Sequence, residues 1–490
     1  MKKLLAFIIA LVMCLSVTVS ANGEEDSMKN KEQYGLHVEE DGTITLMGEE
    51  FHGFGLNYFG AFVRSSDNME GAVDAYKAAF KSIAEHNIPF VRLPLSGYYA
   101  YYYDNYEADK DAMIAKMRDV LDTAAENKVG VVVSLMWWDF AMAAYLGVKR
   151  SDMGTENSEL VNYAKEYTSD IVSAFADHPA VWGWEIGNEY NLNADLCDPE
   201  FKNFLLDGYT GGAVENPTGF DYYTSEELVY FYSEVAKTIR QYDSYRMIST
   251  GNGEMRPFAS AIYESSQAMN KKTHMWEMKW DGNTYEQFID MNAYFTPEPI
   301  DTMCFHLQHG TWDSEPSYVL EHYLWGKTVS SKEYFEGYVA AAKAAGKGLF
   351  FGEFGDFLGM ESAPDVAEKF YEVAHYISDA GIQIAALWQF QDYSDAGVAA
   401  EKLDVLTTLN TELQDAGKQN TEKAWKYQDP EETESAEEST GKTESESTAQ
   451  ETNAPDKDEK GLPTGAVIAI AALAVCIVGA AVAFIIKKKK

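Results

Sequence analysis

Eight short apolar runs, each followed by an amphipathic or irregular stretch, limit this 490-residue chain more than any other feature. The runs are residues 52–56, 88–93, 129–135, 181–186, 246–250, 301–306, 348–352 and 382–388, each five to seven residues long. Helical periodicity fills most of the gaps, at 72–86, 112–127, 159–176, 226–240, 331–345 and 364–379. The irregular stretch 251–301 places its helix near 284–292. Strand alternating with helix predicts a parallel sheet, and eight repeats predict an α/β chain closed into a (β/α)8 barrel. Residues 36–47, with Asp41-Gly42 at a turn, read as a hairpin across the barrel floor. The expected folding unit is residues 34–428, long for one core but within the range of barrels with extended loops.

The two ends read differently. Lys2 and Lys3 precede an apolar stretch ending in Val19-Ser20-Ala21, so residues 1–21 are expected to be an export signal. Residues 466–486 carry no charge and, at about 1.5 Å per residue, span roughly 30 Å as a helix, the thickness of a bilayer core. Lys487 to Lys490 follow and predict a cytoplasmic C-terminus with the body outside. Leu462-Pro463-Thr464-Gly465 resembles a Gram-positive wall-sorting signal that lacks one residue between Pro463 and Thr464, so a plain membrane anchor is the expectation. Residues 429–460 hold 12 acidic residues in 32, with no aromatic residue and no Val, Ile or Leu, and read as a disordered linker. The expected location is the outer face of a cell membrane, Gram-positive in type.

Charge narrows the partners. The net charge of −39 argues against nucleic acid and against anionic polysaccharides. Cys14 and Cys476 fall in the terminal apolar segments, which leaves Cys197 and Cys304 in the body; their pairing is open. No His/Cys spacing matches a zinc site, and no metal or cofactor is implied. A monomer is the expected state.

In a barrel of this kind the active site lies at the carboxyl ends of the strands. The fourth run ends in Trp184-Glu185-Ile186-Gly187-Asn188-Glu189 and the seventh in Phe351-Gly352-Glu353-Phe354-Gly355. These strands face each other across the mouth, so Glu189 and Glu353 converge over its centre. Two facing carboxylates are the equipment of glycoside hydrolysis, and their separation decides between retention and inversion. Glu185, four residues before Glu189, lies deeper and is expected as a buried partner.

Asn188-Glu189 after strand four and Gly352-Glu353-Phe354-Gly355 after strand seven resemble family 5 of the glycoside hydrolases, in the clan of retaining barrels. The resemblance covers residues 36–388 in order and spacing. It implies Glu189 as acid/base and Glu353 as nucleophile. It also implies Asn188 on the sugar 2-hydroxyl, Arg92 in support of the nucleophile, His306 beside it, and Trp388 as the floor under the attacked sugar. The family's His-x-Tyr at strand six is here His306-Leu307-Gln308, so the Tyr that serves the nucleophile is missing. A His common after strand three in cellulases is replaced by Trp137-Trp138, which suit stacking on a sugar face. The strand-four motif looks closer to mannan-cleaving members. The implied function is retaining hydrolysis of a neutral β-linked glycan, mannan or glucomannan first and β-1,4-glucan second. The alternative is a surface glycan-binding protein that keeps the barrel without catalysis.

Overall fold

The computed structural model describes residues 34–196, 222–268, 277–307, 311–312, 318–320, 329–355, 366–390 and 400–425. The predicted export signal, linker and membrane segment lie outside these residues. Among the described residues, no helix is long and apolar enough to cross a membrane.

Eight parallel strands close into a barrel: β1 (Gly53–Asn57), β2 (Phe90–Pro94), β3 (Gly130–Ser134), β4 (Val181–Glu185), β5 (Met247–Ser249), β6 (Thr302–Leu307), β7 (Gly348–Phe354) and β8 (Ile384–Leu387). Each pairs with its sequence neighbours, and β8 closes on β1 from Ile384 opposite Gly53 to Leu387 opposite Leu56. All eight predicted strands are present. Every strand residue is buried, because side chains alternate between the barrel interior and the surrounding helices, and neither side meets water.

Several helices begin where the sequence supplies an acceptor for unpaired N–H groups. Ser158 caps Glu159–Phe175, and Thr224, Thr284 and Ser330 each form a reciprocal capping box with Glu227, Gln287 and Glu333. The Thr284 box fixes the uncertain helix of the 251–301 region at Tyr285–Tyr294, and a second helix, Ala259–Ala268, precedes it. Ala100–Ala108 was not legible as a helix, since it is four-ninths Tyr and carries no clear polar face. It forms because Tyr102, Tyr103 and Tyr106 are buried against Tyr167. Ala400–Asp415 was missed too. Its Asn410 exchanges two 2.9 Å hydrogen bonds with the backbone of Phe54, which ties this helix to the first barrel strand.

The N-terminal hairpin, Leu36–Val38 with Ile44–Leu46, lies at the amino ends of the strands. His37 reaches the Tyr245 carbonyl at 2.8 Å, and Val38 and Ile44 pack against Gly348 at the start of β7. The floor is therefore closed by apolar contact, and the open end is left for chemistry.

Candidate active site

The carboxyl ends of β2, β4, β6, β7 and β8 bring Arg92, Asn188, Glu189, His306, Glu353 and Trp388 to one mouth. Arg92 is fully buried, and each of its three side-chain nitrogens donates. Nε donates to Glu185 Oε1 at 2.8 Å, and Nη2 lies 2.7 Å from the same oxygen in the ion pair. Nη2 donates to Asn188 Oδ1 at 2.9 Å. Nη1 donates to Glu353 Oε1 at 2.7 Å and to Asn57 Oδ1 at 2.9 Å. A guanidinium with every nitrogen committed cannot rotate, so it fixes the two groups it shares with the cavity, Glu353 and Asn188.

Glu353 is aimed by a bulge. Phe351 pairs with Phe305, yet Glu353 pairs with His306, so β7 carries one residue more than β6 at Gly352. A Cβ at position 352 would stand 2.6 Å from His306 Nε2 and 2.9 Å from Cys304 Sγ, which is why the extra residue is glycine. Asn57 donates to the Gly352 carbonyl at 2.8 Å and so pins the bulge from β1.

Glu189 sits past β4 in the left-handed backbone region, φ 57° and ψ 26°. A non-glycine residue there is held by its surroundings. Its N–H donates to the Gly251 carbonyl at 2.7 Å, and the next residue, Tyr190, donates its hydroxyl to the Met136 carbonyl at 2.6 Å. Gly251 has φ 71°, and a Cβ on it would lie 1.9 Å from the Gly187 carbonyl oxygen, so only glycine fits the support under Glu189.

His306 Nδ1 lies 3.1 Å from Glu189 Oε1 and 3.6 Å from Glu353 Oε1. Burial pushes the imidazole pKa down to about 4, against the pull of Glu353, so the ring is neutral near pH 7. Nδ1 faces the two carboxylates, and Nε2 faces Cys304 Sγ at 3.7 Å. Burial raises Glu353 above its ordinary value, with His306 and Arg92 opposing the rise and Glu189 adding to it. Arg92 is held fully charged: burial disfavours its charge, and Glu185 and Glu353 more than offset that.

One ligand atom each from Glu189, His306 and Glu353 lie within 4.8 Å of one another, the compass of a metal ion. The Arg92 guanidinium already supplies the positive charge on Glu353, which opposes a second cation.

The aromatic residues divide. Trp388 is half-buried at the mouth and lies 5.8 Å from Phe59. Trp137 is 2% exposed, packed between Trp388 (6.4 Å, 23° between planes) and the Arg92 guanidinium, 4.8 Å from its ring centre. Trp138 is half-buried and stacks on Phe140 at 5.9 Å. Of the pair, Trp138 faces outward more and Trp137 supports from beneath. Cys304 is buried under His306, and Cys197 lies outside the described residues, as does Gln308.

Sequence reasoning missed Asn57. It is buried at the end of β1, and asking which polar residue ends the first apolar run would have found it. Glu185 is where it was expected, fully buried, as the partner of Arg92.

The sequence profile described as Cellulase (glycosyl hydrolase family 5) matches residues 47–394. Among curated protein sequences, none matches this chain. Solved structures with a similar fold include the endo-1,4-β-mannanase of Rhizomucor miehei, at 17% identity and TM-score 0.49, covering 79% of this chain and 100% of that one. The endo-β-1,4-mannanase of Thermotoga petrophila has 16% identity and TM-score 0.49 over 76% and 78%. The exo-β-1,4-mannosidase of Opitutaceae bacterium strain TAV5 has 13% identity and TM-score 0.50 over 78% and 63%. Identities this low speak to the fold alone. The profile match spans 348 of 490 residues, from the hairpin to just past β8, and so the chain belongs to glycosyl hydrolase family 5.

Proposed function

We propose that this family 5 member hydrolyses β-glycosidic bonds of a neutral β-linked glycan with retention of configuration, β-mannan or glucomannan first and β-1,4-glucan second. The observation that carries the reading is the separation of the two carboxylates. An oxygen of Glu189 lies within 4.8 Å of an oxygen of Glu353. Carboxyl groups about 5–5.5 Å apart suit a covalent intermediate, whereas roughly 6.5–9.5 Å leaves room for the water of an inverting enzyme.

In the first step a Glu353 oxygen bonds to the anomeric carbon, the glycosidic C–O bond breaks, and the Glu189 proton passes to the departing oxygen. In the second, Glu189 takes a proton from water, the water oxygen bonds to the anomeric carbon, and the Glu353 ester breaks. Arg92 keeps Glu353 ionised in a buried place. With Asn188 Oδ1 held by Arg92, its Nδ2 is left to donate to a sugar hydroxyl. Neutral His306 donates from Nδ1 between the two carboxylates, so it holds them near each other without adding a charge. Trp388 offers its face to the sugar. Mannan comes first because of the Trp184 to Glu189 motif, and a neutral glycan because of the −39 charge.

The test is reducing-sugar release by the full chain in detergent from mannan, glucomannan, mixed-linkage glucan, cellulose and xylan, with Glu353→Gln as the blank. Release that disappears in the variant supports the reading. Equal release by both would refute it, and binding without release would favour a glycan-binding protein. We propose also that residues 466–486 anchor the protein to the membrane; a chain ending at residue 460 should then leave the membrane fraction for the medium.

A further inference from the structure

We propose that Glu185 is a positioning residue that sets the ionisation of Glu353 by sharing Arg92 with it. The inference rests on the reading of Glu353 as nucleophile. Arg92 donates from Nε to Glu185 and from Nη1 to Glu353, and its Nη2 also lies 2.7 Å from the Glu185 oxygen. All three side chains are at most 2% exposed, so solvent does little to screen the competition. One cation therefore serves two buried carboxylates, and two of its three nitrogens stand against the one outside the reaction.

Among the described residues, the charged and titratable groups around them include the following. Glu353 faces Arg92 from β2, His306 from β6 and Glu189 from the end of β4. Glu185 faces Arg92, Cys304 and His306 from β6, and Tyr232 from the helix Ser225–Tyr242. Arg92 is the one charged cation among these. The second oxygen of Glu185, Oε2, is buried without a hydrogen-bond partner among the described residues. A buried carboxylate left half-satisfied is costly to keep. Packing alone would be served as well by an amide or an apolar group. A charge retained there fits a role in dividing the field of Arg92.

The sign follows directly. Glu185→Gln keeps the shape and one acceptor oxygen for Arg92, and removes the competing charge. Arg92 then acts on Glu353 alone, so Glu353 ionises at lower pH. A nearby charge moves a carboxyl by about one pH unit or more. The less basic Glu353 also attacks more slowly once fully ionised.

The experiment is inactivation of the full chain in detergent by 2,4-dinitrophenyl 2-deoxy-2-fluoro-β-mannoside. Its leaving group needs no acid, so the pH dependence reports Glu353 without Glu189. In the wild type, labelling at Glu353 with an acid limb is expected. In Glu185→Gln the limb moves down by about one pH unit. In Glu185→Asp, where the charge stays, the limb remains near that of the wild type. An unmoved limb in Glu185→Gln overturns the proposal while the nucleophile reading stands. Failure of that variant to fold also overturns it, since Arg92 and Glu353 would remain a neutral, paired unit. Absence of label on Glu353 in folded wild type overturns the nucleophile reading itself and this proposal with it.

Discussion

Replacing Arg92 with Met removes the cation, the one among the described residues, that pairs with both buried Glu185 and Glu353. Two of the four lost hydrogen bonds end on carboxylate oxygens, at 2.8 and 2.7 Å, and two on Asn57 and Asn188. All four have a charged donor, and at about 1.5–3 kcal/mol each the gross loss is roughly 6–12 kcal/mol. Against this, the variant no longer desolvates a guanidinium, which is worth several kcal/mol. The expected net destabilisation is about 3–5 kcal/mol near pH 8, the range seen when one partner of a buried pair is removed. That is a large share of a domain stability of about 5–15 kcal/mol. The loss depends on pH, and its sign is fixed. Without the cation, burial holds the Glu353 carboxyl still further above the unfolded value of about 4.3. Such a group binds more protons folded than unfolded, so stability falls as pH rises above about 4.3 through the raised folded value. The variant is therefore expected to approach wild-type stability near pH 4 and to fall well below it by pH 8. Urea unfolding followed by tryptophan fluorescence at a series of pH values reads this. A deficit that stays constant between pH 4 and pH 8 would refute the claim that unpaired buried charge is its cause. A stable variant at pH 8 would refute the pairing itself.

Four further outcomes are expected. Because burial holds Glu353 above the usual carboxylate value, the acid limb of kcat/KM should lie above the range of an exposed Glu, and a limb near about pH 4 would contradict it. Glu189→Ala should slow release of sugar-alcohol leaving groups by about 10²–10⁴-fold while sparing formation of the glycosyl-enzyme from dinitrophenyl glycosides; an equal loss on both would remove Glu189 from the acid role. Trp137→Ala should destabilise the fold by about 3–5 kcal/mol, as loss of a buried Trp does, whereas Trp388→Ala should mainly raise KM; thermal melts and initial rates separate the two. The His306 ring should stay neutral from pH 8 to pH 5, read by NMR of its ring protons, since its pKa is pushed to about 4.

Much of this protein is written locally. Each strand is a short apolar run because both of its faces are buried, and four of the long helices start at a Ser, Thr or Asp that can take up free N–H groups. Such signals need only neighbours within a few residues, so they survive in a bare sequence. The same holds for Glu189 and Glu353, since the end of an apolar run fixes where a barrel side chain emerges. The Tyr-rich helix Ala100–Ala108 was not legible because its cause, burial against Tyr167, lies some 60 residues away.

The order of residues along the chain thus determined the barrel, the family and the two facing carboxylates. What it left open was how the residues divide the charge. Arg92 was readable as support for Glu353, yet its second attachment, to Glu185, and the role of Asn57 in pinning the Gly352 bulge, appear only in three dimensions. Trp137 and Trp138 were equivalent as a dipeptide, and the fold sent one beneath Trp388 and left the other half-exposed. The physical reason is the same in each case. Hydrogen-bond donors are finite and directional, and a buried charge goes to whichever acceptors the closed barrel brings within about 3 Å, which no local pattern encodes.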